Sequence, residues 1–391
     1  MAARTIFIST GEVSGDLQGA LLVEALYRQA DQLGISLKVV ALGGARMAAA
    51  GAELLGDTTA IGAVGLWESV RFVRPTQRVQ DQAKAYLKSH PPDLAVLIDY
   101  MGPNLVLGNY LRRYWASVPI AFYIAPQVWV WSPFPNDAQR IIDIADQILA
   151  IFPGEARYFA AKGANVSWVG HPLVDRVRDF PSRVAARADL GIGDQEIAIA
   201  LLPASRQQEL QYLMPVMFAA AQGLQAQYPQ ASFWIPVSLP KYKEAIAQAA
   251  HNYGLKAHVI TESPEQVLAA ADLALTKSGT VNLELALLGV PQVVVYRLSR
   301  LTAWIAKYLL RFSIPFMSPP NLVAMREIVP EFLQDQATPA NIIQAAREFL
   351  DQPQRLEQLR DDYQQMRGLL GEDGVSDRTA QKIFQMLPEK S

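Results

Sequence analysis

The chain has 391 residues, which is enough for two or three domains with separate cores. Its formal net charge of -2 gives no overall electrostatic case for binding nucleic acid. The absence of cysteine excludes disulfide bonds, cysteine-bound zinc and a thiol nucleophile. No apolar run approaches the roughly 18–20 residues of a membrane span, so we expect a cytoplasmic protein whose membrane contact, if any, is peripheral.

The chain opens with the pattern of a nucleotide-binding α/β domain. A β-rich run at Thr5–Ser9 leads into the glycine-rich turn Thr10–Asp16, and apolar residues at helical spacing predict a helix over Leu17–Gln32. The turn lacks the G-x-G-x-x-G spacing, which disfavours a dinucleotide site. A second strand is expected at Lys38–Leu42.

The next segment, Ile61–Pro75, combines apolar and basic residues. Its apolar side chains alternate with arginines and include Val64, Leu66, Trp67, Val70, Phe72 and Val73. A core helix would produce this pattern, and so would an amphipathic surface that dips into lipid with its arginines at the head groups. An exposed apolar patch of this size would need a function. Both interpretations stay open.

The apolar run Leu94–Ile98 predicts a central parallel strand buried on both faces. Asp99 follows it directly, at the carboxyl end of the strand, where α/β sheets bind ligands and carry out chemistry. Capping of the next helix is the alternative role. A strand at Pro119–Ile124 leads into the aromatic loop Ala125–Trp131, which either lines a pocket or covers the domain edge. Two further strands complete a predicted sheet of six or seven: Gln147–Ile151 and Val166–Val169.

A hinge is predicted at Gly170-His171-Pro172, because a glycine and a proline directly after a strand suit a domain boundary. We expect domains at 1–172 and 173–340. His171 is the one histidine in a site-like context. The pattern of strands and helices then restarts with Ile197–Leu202, which ends at a loop containing Ser205 and Arg206. The Arg206 guanidinium can bind two phosphate oxygens at once.

A strand, a small-residue turn and a helix at 273–291 have the character of an anion site. The run Leu273–Leu275 precedes the turn Ser278-Gly279-Thr280, and a helix is predicted over Val281–Leu288. Backbone N–H groups at a helix start and the positive end of the helix dipole favour an anion there. Glu284 would accept hydrogen bonds from sugar hydroxyl groups. A turn without any ligand is the alternative.

The last part of the chain contains a second amphipathic stretch and a tail. Leu298–Phe312 has apolar residues on one face and basic residues on a flank, which fits either core packing or a surface for lipid or phosphosugar. Residues 341–391 are expected to form a helical tail that packs back on the first domain or is exchanged between subunits. The sequence contains no D-x-D, H-E-x-x-H or G-x-x-x-x-G-K-[ST] motif, so no metal site and no ATP hydrolysis are predicted.

Two doubly wound domains, phosphate-binding elements in the second and no metal motif resemble a glycosyltransferase of the GT-B architecture. The predicted fold class is α/β, with two Rossmann-like domains, a cleft between them and the helical tail. Several strings together resemble the lipid-A-disaccharide synthase family, in that family's order and over nearly the whole chain. These strings are Gly11–Asp16, Pro126 with Val128, Trp129 and Trp131, Val169–Pro172, Leu202–Arg206, Ser278–Thr280 with Leu283-Glu284, and Pro319–Gln334.

The resemblance implies an inverting transfer of 2,3-diacylglucosamine from its UDP donor to the 6-hydroxyl group of 2,3-diacylglucosamine 1-phosphate. The products would be the β-1,6 disaccharide 1-phosphate and UDP, with no cofactor and no metal. Asp99 corresponds to the family's general base. Glu12 and His171 are further catalytic candidates. The substrate-binding candidates are Ser14, Gly15, Asn104, Gln127, Ser205, Arg206, Ser278, Gly279, Thr280, Glu284 and Asn321.

Both implied substrates carry acyl chains, so the two apolar and basic stretches become expected membrane-facing surfaces. The first contributes the six apolar residues from Val64 to Val73 named above, and the second contributes Arg300, Trp304, Lys307 and Arg311. The resemblance thus implies a peripheral protein on the inner face of the cytoplasmic membrane. A homodimer is expected, and nucleic acid is not an expected partner.

The sequence departs from the family pattern at four places: Ala125, Ala204, Lys277 and Tyr100–Pro103. These departures bear on acyl-chain or acceptor preference more than on fold or reaction class. Two alternatives stay open. One is a related GT-B enzyme, such as a lipid-linked N-acetylglucosamine transferase or a UDP-sugar epimerase. The other is a non-catalytic binder of lipid or nucleotide sugar.

Overall fold

The computed structural model describes residues 3–59, 73–132, 134–203, 207–237, 239–299 and 314–388, with the side chains of 207–209 left out. The chain divides into two compact units. The first combines Met1–Asp175 with Leu370–Ser391, and the second is Arg176–Leu369.

The first unit is built on a seven-stranded parallel sheet in the order β3-β2-β1-β4-β5-β6-β7. The strands are β1 (Arg4–Ser9), β2 (Leu37–Gly43), β3 (Glu53–Asp57), β4 (Leu94–Ile98), β5 (Ile120–Tyr123), β6 (Gln147–Ala150) and β7 (Val166–Trp168). Strands β1 and β4 pair from Ile6–Leu94 to Ser9–Leu97, and the order of the chain through the sheet reverses between them. Their carboxyl ends therefore form the topological switch point, where α/β sheets bind ligands.

The connecting helices of the first unit are α1 (Glu12–Leu33), α2 (Ala45–Ala49), α3 (Val73–Ser89), α4 (Met101–Tyr114), α5 (Asp137–Ile144) and α6 (Pro153–Ala161), with a 3-10 turn at Gln127–Trp129. Helix α1 begins at Glu12, five residues before the predicted start at Leu17, so most of the expected turn is helical. A glycine suits position 15 in this turn, because the Cβ of a larger residue would lie only 3.1 Å from Thr10 Cβ. The Asp16 carboxylate accepts the Gly44 N–H at 2.7 Å, which ties α1 to the start of α2.

The second unit repeats the plan with a six-stranded parallel sheet in the order β10-β9-β8-β11-β12-β13. Its strands are β8 (Ile197–Leu202), β9 (Ala231–Pro236), β10 (Ala257–Ile260), β11 (Leu273–Lys277), β12 (Gln292–Tyr296) and β13 (Glu331–Leu333). Helix α7 (Leu173–Arg178) spans the boundary between the units. The remaining helices are α8 (Arg183–Leu190), α9 (Gln207–Gln227), α10 (Lys243–Asn252), α11 (Pro264–Ala270), α12 (Val281–Leu287), α13 (Pro319–Ala324), α14 (Pro339–Asp351) and α15 (Pro353–Gly368), with 3-10 turns at Pro240–Tyr242 and Gln334–Gln336. The predicted pair of Rossmann-like, doubly wound sheets is confirmed.

The C-terminal segment is shared between the units. Helices α14 and α15 belong to the second unit, whereas α16 (Val375–Gln385) belongs to the first and packs against α1. The Asp175 carboxylate accepts the N–H groups of Gly374 at 2.6 Å and Ser376 at 2.7 Å, which caps the start of α16. The first unit thus runs to Asp175, rather than ending at the expected residue 172, and takes back the chain from Leu370. Exchange of this segment between subunits stays a prediction.

None of the helices in the described ranges has both the length and the apolar character that crossing a membrane requires.

Candidate active site

Four non-glycine residues with left-handed backbones cluster at neighbouring strand ends of the first unit. Their φ angles are 60° at Glu12, 47° at Asp99, 42° at Tyr100 and 57° at Ile124, and they follow β1, β4 and β5. Each left-handed residue costs on the order of 1–2 kcal/mol, and such strain concentrates at functional sites. The predicted location of the chemistry, at the carboxyl ends of central strands, coincides with this strained edge.

The Asp99 backbone is fixed by a set of buried hydrogen bonds. Its N–H donates to the carbonyl oxygens of Tyr123 at 3.3 Å and Ile124 at 3.1 Å. The buried amide of Asn104 donates to the carbonyl oxygens of Asp99 at 2.7 Å and Ile98 at 2.9 Å. Ser9 Oγ donates to Asn104 Oδ1 at 2.7 Å. Asn104, predicted to contact substrate, therefore uses both ends of its amide to hold the Asp99 loop.

The Asp99 carboxyl group has a raised proton affinity. Asp99 is an exposed residue, yet protein atoms packed around its carboxyl group desolvate it, which raises the pKa to about 6. The charge of Glu12 acts in the same direction, while a backbone hydrogen bond from Tyr100 opposes it. A carboxylate with a pKa close to the working pH suits a general base. The structure therefore brings together Asp99 and Glu12, two of the three predicted catalytic residues.

Tyr100 packs against the glycine-rich motif. A Cβ on Gly11 would lie 2.2 Å from Tyr100 Cδ1, so only glycine leaves room for the ring. A side-chain hydrogen bond joins Tyr100 to Thr76. The sequence marks Tyr100 only as a departure from the family pattern. Its contact with Gly11 joins residues 89 positions apart, so no local pattern indicates it. Ser14 lies half-buried in the first turn of α1, beside the buried Gly15.

His171 is buried and neutral. Its ring Nδ1 accepts the Leu173 N–H at 3.2 Å, and its backbone N–H donates to the Leu370 carbonyl oxygen at 2.7 Å. The centre of its ring lies 5.3 Å from that of the Phe152 ring. Burial lowers the pKa of His171 to about 3, so it carries no charge at physiological pH. Gln127 is exposed at the first position of the 3-10 turn that opens the aromatic loop.

In the second unit, the Ser278-Gly279-Thr280 turn follows β11, which pairs with β8 at that sheet's own switch point. Ser278 Oγ donates to the Met317 carbonyl at 2.5 Å, and the Gly279 N–H donates to Asn282 Oδ1 at 2.7 Å. These two donors bond within the protein, so the turn offers fewer hydrogen-bond donors to an anion than the sequence suggests. Lys277, one of the departures from the family pattern, places its ammonium group beside this turn. Its Nζ would lie 3.7 Å from a Cβ on Gly279.

Glu284 is paired with a residue that the sequence gives no reason to single out. Arg176 Nε donates to Glu284 Oε1 at 2.8 Å, and the Glu284 side chain is only 9% exposed. The two residues are 108 positions apart, so no local pattern connects them. The pairing fixes one oxygen of the carboxylate predicted to contact sugar hydroxyl groups.

Asn321 is fully buried in the short helix α13, which precedes β13 in the chain. Its amide nitrogen donates to the Val329 carbonyl at 2.8 Å and Glu331 Oε2 at 3.1 Å, and its oxygen accepts the N–H groups of Ile328 and Val329. Every polar atom of this side chain is therefore engaged within the protein. These bonds give Asn321 a structural role, and its contact with substrate stays a prediction.

Several predicted residues lie outside the described part of the chain. They are Ser205 and Arg206 of the phosphate loop, Val64, Leu66, Trp67, Val70 and Phe72 of the first apolar stretch, and Arg300, Trp304, Lys307 and Arg311 of the second. Val73 is described and lies 49% exposed at the first position of α3.

Two all-parallel, doubly wound sheets with polar groups at both switch points place the chain in the GT-B class of α/β proteins. Solved structures share this fold: the UDP co-structure of MnaA from S. aureus has a TM-score of 0.69 at 17% identity, covering 99% of each chain. MurG from Acinetobacter baumannii has a TM-score of 0.54 at 17% identity, covering 98% of this chain and 99% of that one. The predicted GT-B architecture is confirmed.

Sequence comparison defines the family. The profile described as lipid-A-disaccharide synthetase matches residues 6–385. Lipid-A-disaccharide synthase of Gloeothece citriformis is 54% identical over 97% of this chain and 99% of its own length. The synthases of Synechocystis sp. and Geobacter sulfurreducens are 53% and 36% identical, over 97% and 98% of this chain and 97% of each relative. The chain belongs to the lipid-A-disaccharide synthase family.

Proposed function

We propose that this chain transfers 2,3-diacylglucosamine from its UDP donor to the 6-hydroxyl group of 2,3-diacylglucosamine 1-phosphate. Family membership over nearly the whole chain and the GT-B fold support a UDP-sugar glycosyltransferase. The chemistry is assigned from Asp99, which has a strained backbone at the switch point of the first sheet and a carboxyl group whose pKa is raised to about 6.

In the proposed step, the Asp99 carboxylate accepts the proton of the acceptor's 6-hydroxyl group. The hydroxyl oxygen bonds to the anomeric carbon of the donor while the bond from that carbon to the phosphate oxygen breaks, and UDP leaves with the electron pair. Attack from the face opposite UDP inverts the anomeric configuration. Glu12 supports this step through Asp99, because repulsion between the two carboxylates makes Asp99 a stronger base.

The leaving diphosphate needs positive charge and hydrogen-bond donors. We assign the positive charge to Arg206 and to Lys277, whose ammonium group lies beside Gly279. We assign the donors to groups of the Ser278-Gly279-Thr280 turn other than the Ser278 hydroxyl and the Gly279 N–H, which bond within the protein. Such groups stabilise developing negative charge when they are already oriented toward it. Glu284, held by Arg176, is assigned to hydroxyl groups of the nucleotide sugar. His171 is neutral, so it supplies no positive charge to the leaving diphosphate, and a catalytic role for it stays a prediction.

We also propose that the protein works as a homodimer at the inner face of the cytoplasmic membrane. Both substrates carry acyl chains, and the sequence has two apolar and basic stretches, around Trp67 and Trp304. Co-sedimentation with anionic and with zwitterionic vesicles tests the membrane contact, since basic side chains strengthen binding to anionic lipid. Sedimentation velocity tests the dimer.

UDP release from UDP-2,3-diacylglucosamine, with and without the acceptor, tests the reaction. We expect acceptor-dependent release from the wild type and a loss of about 10²–10⁴-fold in Asp99→Asn, the range that general bases supply. Asp143→Asn, at an exposed acid of α5, is the matched control and should keep full activity. Wild-type protein that binds UDP but releases none would favour a non-catalytic binder. Isomerisation of the donor sugar without acceptor would favour an epimerase, the activity named for several structures of the same fold.

A further inference from the structure

Glu155, a residue without any assigned role, joins the ends of two central strands. It is the third residue of α6 and is completely buried. Its Oε1 accepts the N–H of Ala125 at 3.0 Å, just after β5. Its Oε2 accepts the N–H groups of Ile151 at 2.9 Å and Phe152 at 3.2 Å, just after β6. A single carboxylate thus receives three backbone donors from the edge that holds Asp99.

The contact with Ala125 leads directly to Asp99 through one peptide group. The carbonyl oxygen of Ile124 accepts the Asp99 N–H at 3.1 Å, and the N–H of that same peptide group, on Ala125, donates to Glu155. A peptide group that donates to a carboxylate becomes a better acceptor at its carbonyl end, because hydrogen bonds in a chain polarise one another. The backbone at this point is also strained, since Ile124 has a φ of 57°.

We infer that Glu155 is a positioning residue for Asp99: by fixing the Ile124–Ala125 peptide it holds the Asp99 backbone, and with it the carboxyl group, in place for the reaction. This inference rests on the proposed function, in which Asp99 is the base. A carboxylate suits the three donors better than an amide does, because an amide would point its NH₂ group either at the Ala125 N–H or at the N–H groups of Ile151 and Phe152.

Burial and the three backbone hydrogen bonds act on the pKa of Glu155 in opposite directions. Burial raises the pKa of Glu155 to about 7, the three backbone donors oppose the rise, and the charge of Asp99 adds to it. Among the described residues, the titratable groups near Asp99 include Glu12 and Tyr100. Tyr123 on β5 lies near Glu155 and Asp175, and the His171 ring contacts Phe152, whose N–H donates to Glu155.

The test compares Glu155→Gln with Asp93→Asn, which also removes a carboxylate from a backbone donor of the first unit. Asp93 accepts the Thr5 N–H at 2.7 Å and pairs with Arg4, at the amino ends of β1 and β4 and away from the site. We expect both variants to melt at lower temperature. Glu155→Gln should lose kcat by about ten-fold or more with an unchanged KM for the donor, as a displaced catalytic group does. Asp93→Asn should keep kcat within about two-fold, because most changes away from a site leave it intact.

A second variant leaves Glu155 untouched and covers the case in which Glu155→Gln does not fold. Replacing Ala125 with lactate converts the amide that donates to Glu155 into an ester, which removes that N–H and also weakens the Ile124 carbonyl oxygen as the acceptor of the Asp99 N–H. We expect the same fall in kcat, and faster hydrogen exchange at the Asp99 amide. Full activity with unchanged exchange in either folded variant, or equal loss of kcat in Asp93→Asn, would overturn the inference. A wild type without acceptor-dependent UDP release would instead refute the proposed function, and the exchange measurement would still decide whether Glu155 positions Asp99.

Discussion

Asp99→Asn should make the protein more stable at neutral and alkaline pH while removing its activity. The pKa of Asp99 is raised from 3.8 to about 6, so the folded protein prefers the protonated form. The stability that this group contributes is therefore complete below about pH 4 and is lost as the pH rises through about 6. Asparagine does not ionise, so the variant avoids that loss.

The magnitude follows from the size of the shift. A shift of one pKa unit corresponds to about 1.4 kcal/mol, so the two units at Asp99 correspond to about 3 kcal/mol at most. Because Asp99 is an exposed residue, solvent screens its charge, which reduces the expected gain to about 1 kcal/mol. We expect Asp99→Asn to exceed the wild type by this amount at pH 8, by less at pH 6, and not at all at pH 4.

Urea denaturation followed by circular dichroism at the three pH values measures this difference, with Asp143→Asn as the control for loss of an exposed acid. The control should stay within about 0.5 kcal/mol of the wild type throughout. Equal or lower stability of Asp99→Asn at pH 8, or a gain that does not depend on pH, would refute the idea that Asp99 is held in a desolvated, repulsive environment.

Three further predictions concern the contacts around the two switch points. Gly11→Ala should cost about 1–3 kcal/mol, because its Cβ would lie 2.2 Å from the Tyr100 ring, and a double-mutant cycle with Tyr100→Ala should recover most of that loss. The ring signals of His171 in NMR spectra should not titrate between pH 5 and 8, because burial lowers its pKa to about 3; a midpoint near 6.5 would contradict this. Arg176→Ala should destabilise the second unit by about 1–3 kcal/mol, since it leaves the buried Glu284 unpaired, whereas adding Glu284→Gln should restore part of the loss in the same urea experiment. Additive costs would show that this pair is not coupled.

The apolar runs of the sequence predict the strands well, because a parallel strand covered on both faces must be apolar throughout. Leu94–Ile98 and Ile197–Leu202 have the same bounds in the prediction and in the structure. The position of Asp99 follows from the same rule, since the residue after a central strand lies at the ligand-binding edge. The fold and the location of the site are thus readable from the sequence.

The roles of individual polar residues are less accessible, because they depend on partners that only the tertiary structure supplies. Asn104 and Asn321 are both predicted to contact substrate, yet the amide of each is engaged by hydrogen bonds within the protein, mostly to backbone atoms. Glu155 follows a proline and a glycine and has the sequence context of an ordinary helix start. Its contact with Ala125 crosses 30 residues, and nothing in the local sequence indicates it.

The strained residues of the first unit explain why so many buried polar groups gather at one edge of its sheet. Left-handed residues at three adjacent strand ends cost several kcal/mol in total. This is a large part of the net free energy of unfolding of a domain, which is roughly 5–15 kcal/mol. Such a backbone persists only if other contacts hold it. Asn104 and Glu155 supply those contacts from opposite sides, one through the Asp99 carbonyl and one through the peptide that receives the Asp99 N–H. The buried polar groups around Asp99 therefore keep the proposed base in a conformation that the chain would not adopt by itself.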